Sequence, residues 1–198
     1  MVVRGPKLSL RYGRPDDAEA LFELASDPEV VRFFSWGPYG DPSEASAYLD
    51  SLERQRADGT RLELMIAGED DRPLGITGLS EFSLRDRRAV VGTWIGRQHW
   101  GTGVNDESKA LILTLAFRAL GLGRVTAWAS PENPRSIRAL EKLGFEQEGV
   151  LASWHVHRGT PRDVAVLRML REEFDRSPLA GTPIAVEGDP PEQFVATS

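Results

Sequence analysis

Two hydrophobic periods alternate along the chain. From Arg14 to Val30 apolar residues recur at helical spacing, with Leu21, Leu24 and Ala25 on one face, so a helix is expected there. Pro15 suits its first turn, and Asp16, Asp17 and Glu19 suit the positive end of its dipole. A second helix is expected over Ser43–Gly59, opened by Asp41 or Ser43 and stopped by Gly59. Period-two alternation marks strands at Lys7–Gly13, Arg61–Gly68, Leu74–Phe82 and Ala89–Gly96. Asp106–Leu120 is helical and apolar almost all round, as a fully buried helix is. A strand follows at Arg124–Ser130, then a helix ended by Gly144, then strands at Phe145–Gly159 and Arg162–Phe174. Ser177–Ser198 is rich in Pro, Gly and Thr without periodicity, and reads as a mobile tail behind one domain at 1–176. The element order predicts an α/β fold: a mixed sheet with helices on both faces.

Composition narrows the function. The chain has 198 residues and no cysteine, which excludes disulfides, cysteine-ligated zinc and a cysteine nucleophile, and fits a reducing cytoplasm. No apolar run approaches the ~20 residues of a membrane span. The net charge of −6 argues against duplex binding, which needs a cationic face. The charge leaves room for a small or basic substrate.

Gly101 and Gly103 stand one residue apart ahead of the buried helix. The spacing is not that of a Walker loop, and Asp106 stands where a dinucleotide fingerprint would have its third glycine. On its own the loop is equally a glycine turn capped by Asn105. Its company is "TWI" (Thr93–Ile95) before it, with "NPRSIRALEKLGFEQEGVL" and "GTPRD" after it. Together these resemble the GNAT superfamily of acetyl-CoA-dependent N-acetyltransferases, and more narrowly its ribosomal-protein (RimJ/RimL-like) subgroup, over about Leu8 to Phe174.

The resemblance implies a splayed GNAT-type sheet, acetyl-CoA as cosubstrate, no metal, an amine acceptor, and a homodimer as in many of the subgroup. Trp100-Gly101-Thr102-Gly103-Val104-Asn105 falls on the family's pyrophosphate loop, where main-chain N–H groups cradle the phosphates. Asp106 and Glu107 then stand beside a phosphate site and are expected to face away. Thr93, Trp94 and Ile95 would pair by backbone with the pantetheine arm, and a nearby β-bulge would splay the sheet. Asn133 would hold the pantetheine, and Ser136 would lie near the sulfur as acid. The alternative for both is helix capping. The acid tyrosine of many relatives is replaced by Leu140, and the strand glutamate of others by Val90. His155, the tenth residue after Phe145, stands where a relative carries its glutamate base. Strand alternation places His155 with Ser153 and His157 on a polar face, opposite Ala152, Trp154 and Val156. Phe34, Trp36 and Tyr39 would wall the acceptor site, with His157 beside them. These implications give an acetyltransferase acting by direct attack in a ternary complex. The alternative is a non-catalytic acyl-CoA sensor of the same fold.

Overall fold

A computed structural model describes residues 1–196. Nine strands form one sheet in the order β7-β8-β6-β5-β4-β3-β2-β1-β9. The strands are β1 (Val2–Arg4), β2 (Ser9–Arg11), β3 (Arg61–Ala67), β4 (Pro73–Ser83) and β5 (Arg88–Ile95). They continue as β6 (Arg124–Ala129), β7 (Glu146–His157), β8 (Thr160–Leu170) and β9 (Ala185–Glu187). β5 and β6 run parallel; the other pairs are antiparallel. The parallel crossover is made by α4 (Val104–Thr114), as a parallel pair requires. α1 (Ala18–Ala25), α2 (Pro28–Val31) and α3 (Pro42–Ala57) pack on one face around Met65, Ile76 and Trp94. α4 packs on the other, around Leu64, Val91 and Val125. α5 (Pro134–Lys142) and α6 (Arg171–Arg176) complete the helices.

Several expectations shift at their ends. The first expected helix breaks in two, because Asp27 caps a new start by accepting from the Glu29 N–H, with Pro28 as its first residue. Asp41 caps α3 by accepting from the Ser43 N–H. β8 stops at Leu170; Glu172, Glu173 and Phe174 belong to α6, whose capping carboxylate is Glu173. α4 passes at Leu115 into a π-turn, where the Leu120 N–H reaches the Leu115 carbonyl. The segment expected as a tail is held against the body. β9 pairs with β1, Leu179 is buried, and the Phe194 ring is fully buried 4.7 Å from Phe82. Two buried aromatic or aliphatic anchors outweigh the loop-like composition; Thr197 and Ser198 lie outside the described residues.

The splay has a different cause from the one expected. Near Thr93 the β4–β5 ladder is unbroken, and its register shift lies at the far end, between Ser80 and Ser83. The sheet opens because β5–β6 pairing ends at Val91–Ala127 while β5 runs on to Ile95.

Candidate active site

Where β5 parts from β6 a cleft of about 1120 Å³ opens. It gathers Phe34, Trp36, Tyr39, Thr93, Trp94, His155 and His157, brought from three separate regions of the chain. The aromatic loop forms one wall. Trp36 lies 5.3 Å from Phe34, 5.6 Å from Tyr39 and 5.5 Å from Trp94. Arg158, from the β7–β8 turn, donates to the Gly37 carbonyl at 2.7 Å and ties the loop to the opposite wall.

The histidines come from β7, but not by plain alternation. Leu151 pairs with Val164 and His155 with Arg162, so β7 carries extra residues at Ser153, where φ is 52°. Through this bulge Trp154 and His155 both reach Trp128, at 6.3 and 5.1 Å. His155 and His157 still share a face, with rings stacked 6.0 Å apart. The supposed apolar face is not buried: Trp154 is 53% and Val156 63% exposed. Burial lowers the His157 pKa, with His155 and Arg162 adding to the effect.

Two side chains that sequence reasoning passed over sharpen the cleft. Glu63 on β3 pairs across the sheet with Gly78, and Gly78 with Gly92. Two glycines beside a carboxylate leave a bare floor, and a side chain at Gly78 would collide with Glu63. The half-buried Tyr48 hydroxyl donates to Glu63, and desolvation followed by the Glu63 charge raises its pKa. Burial, then Glu44 and Glu63, pushes Tyr39 up to about 12. On the other face Lys109 of α4 is buried, and its ammonium donates to Thr93 Oγ1. Burial alone lowers its pKa from 10.5 to about 7. Thr93 Oγ1 lies 2.6 Å from Thr77 Oγ1, and both threonines reach the Gly92 carbonyl.

The glycine loop lies apart from this cleft. Gly101 and Gly103 have φ of 76° and 91°, a left-handed backbone that disfavours side chains. A Cβ at either would meet nothing within 4 Å, so the loop surface is open. Gly103 is the N-cap of α4, with no side-chain cap bond; Asn105 lies inside the helix and does not cap it. The free first-turn N–H groups of α4 therefore face outward past Thr102, Val104 and Asn105. Both acids turn to protein partners. Glu107 accepts from the Lys7 and Leu8 N–H groups at 2.8 Å, and Asp106 pairs with Lys142 at 3.1 Å. Trp100 spends its indole N–H on the Ile95 carbonyl at 2.9 Å.

Beside the loop a second recess of about 260 Å³ is lined by Trp100, Asn133, Arg135 and Arg138. The Arg135 guanidinium lies 3.6 Å over the Trp100 ring. Asn133 caps α5, its side-chain oxygen accepting from the Ser136 N–H at 3.2 Å. Ser136 sits in the first turn of α5, outside the large cleft.

Residues 7–146 match the family described as an acetyltransferase (GNAT) domain. The uncharacterized N-acetyltransferase p20 of Bacillus licheniformis is 31% identical over 169 residues, 85% of this chain and 95% of that protein. The uncharacterized N-acetyltransferase YoaA of Bacillus subtilis is 29% identical over 171 residues, 86% of this chain and 97% of that protein. A crystal structure of spermidine N-acetyltransferase from Vibrio cholerae, in complex with CoA and spermine, has a TM-score of 0.72. It covers 84% of this chain and 97% of that one, and at 21% identity the likeness is one of fold.

Proposed function

The chain belongs to the acetyltransferase (GNAT) family, as an N-acetyltransferase, and we propose that it moves the acetyl group of acetyl-CoA to a primary amine by direct attack in a ternary complex. One observation carries this reading: the opening beyond Val91–Ala127 has an aromatic, carboxylate- and histidine-lined cleft on one side and a bare glycine loop on the other. Two substrates can thus meet at β5 from opposite faces of the sheet.

On the donor side, the N–H groups at Gly101–Asn105 hold the pyrophosphate, aided by the dipole of α4. Arg135 and Arg138 in the neighbouring recess supply positive charge for the phosphates. Thr93, Trp94 and Ile95 offer a strand edge to the pantetheine arm, with the Ile95 carbonyl already held by Trp100. Asn133 keeps its amide nitrogen for the donor while its oxygen caps α5, and Ser136 lies alongside.

On the acceptor side, Glu63 and the faces of Trp36 and Tyr39 favour a cationic amine over the glycine floor. The amine must lose a proton before it attacks, and His155, at the cleft wall, takes it. The N–C bond forms as a backbone N–H on β5 steadies the oxyanion, and the C–S bond then breaks. The acceptor is a protein N-terminus or a small amine; the spermine in the Vibrio cholerae complex is a cation of this class. The exposed Trp154 and Val156 on edge strand β7 support pairing of two copies into the homodimer that the resemblance implies.

Thiol release from acetyl-CoA with N-terminal peptides, polyamines and aminoglycosides tests the assignment. Turnover with one acceptor class is expected. In His155→Ala, kcat should fall about 10²-fold with coenzyme affinity kept. Coenzyme binding without turnover across the whole panel would overturn the proposal.

A further inference from the structure

Lys109 is a buried cation-forming group with no acidic partner among the described residues. The carboxylates on its own helix are taken, Asp106 by Lys142 and Glu107 by the Lys7 and Leu8 N–H groups. From β4 and β5 it faces hydroxyls, Thr77 and Thr93, and among the described residues no acid forms an ion pair with it. The apolar surroundings of α4 do not need an amine; a methionine would fill the space. What the amine reaches is Thr93, which also lines the cleft where the sheet opens. Neither Leu140, which is apolar, nor Ser136, which lies outside the cleft, offers an acid there.

We propose that Thr93 gives the departing thiolate its proton and that Lys109, hydrogen-bonded behind it, replaces that proton. The inference rests on the acetyl-transfer reading above. As the tetrahedral intermediate collapses, the C–S bond breaks and its electron pair goes to sulfur. The Thr93 hydroxyl proton passes to sulfur, and a proton on Lys109 Nζ passes to the Thr93 oxygen. Lys109 is left neutral and is recharged from water once the products leave. The amine gives up two protons, one to His155 before attack and one from its nitrogen in the tetrahedral intermediate. Both pass to water and Lys109 takes one back, so a protonated amine and acetyl-CoA yield one amide, one free thiol and one proton. Burial supports the direction of transfer: an ammonium with pKa of about 7 is a stronger acid than an ordinary thiol near ~8.5. Thr93 is then a catalytic residue, and Lys109 a positioning and proton-supplying one.

The test compares wild type with Lys109→Met, Thr93→Val and Thr93→Ser by thiol release across pH, at saturating acceptor. Lys109→Met and Thr93→Val should each lose about 10²-fold in kcat. Their KM for acetyl-CoA should stay within about threefold, because neither removes a phosphate contact. Thr93→Ser should restore most of the rate. The alkaline fall of kcat, which reports loss of the Lys109 proton, should be present in wild type and absent from Lys109→Met. Full rates in Lys109→Met and Thr93→Val, or an alkaline limb unmoved by Lys109→Met, would overturn the proton role while leaving acetyl transfer standing. A wild type inactive with every amine would overturn both.

Discussion

A lysine sealed in an apolar helix should weigh on stability, and Lys109→Met isolates the effect. The fall of its pKa from 10.5 to about 7 means that the folded protein holds this proton less tightly than the unfolded chain. Between those two values the unfolded state binds more protons, so stability rises with pH, by about 1.4 kcal/mol per unit. Below pH 7 the burden is fully present, about 5 kcal/mol relative to a neutral side chain. Above 10.5 it is gone. Methionine has similar bulk and no charge, and its loss of the Thr93 hydrogen bond costs about 1 kcal/mol. Lys109→Met is therefore expected to be more stable than wild type at neutral pH. The gap should shrink by about 2 kcal/mol between pH 7 and pH 9. Urea unfolding of both proteins at the two pH values measures it, and taking the difference cancels every other titrating group. A gap unchanged with pH would mean that Lys109 keeps its proton when folded, and the reasoning from burial would fail.

Arg11 and Asp17 are buried and joined by two hydrogen bonds of 2.7 and 2.8 Å, so Asp17→Ala should cost about 3 kcal/mol in urea unfolding, tempered by the remaining Asp71 contact. Gly103→Ala meets no neighbour but must hold a φ of 91°, and should lose about 1 to 2 kcal/mol of stability in the same unfolding assay. Calorimetric titration with coenzyme A should show a weaker site in that variant. Phe194→Ala empties a fully buried position and should cost about 3 to 5 kcal/mol by thermal unfolding. Glu63→Gln should raise KM for a cationic amine about tenfold with kcat largely kept, which steady-state kinetics reads directly.

Much of the core was readable because its periods are clean. α3 with its Asp41 cap, the β3–β4–β5 meander and the buried α4 follow from local pattern alone. The aromatic loop and the two histidines line one cleft, a grouping that the sequence offered only through the family resemblance. What escaped is non-local. β1 and β9 are too short to show a period and exist by pairing with each other and with β2. The β7 bulge depends on Asp163 of the partner strand accepting from the Ser153 N–H. Glu63 looks like a solvent-facing strand residue until α3 brings Tyr48 over it. For Lys109 a signal was present: a helix apolar on every side leaves no wet face for its lysine.

β9 pairs with β1, which lies far ahead of it in chain order and is made well before it. Until β9 has emerged, the β1 edge stays open, with backbone groups that another nascent chain could pair with. Folding on the ribosome must therefore wait at one sheet margin while α1, α3 and the β3–β5 meander can already dock. Chaperone dependence should be governed by how soon that margin is covered.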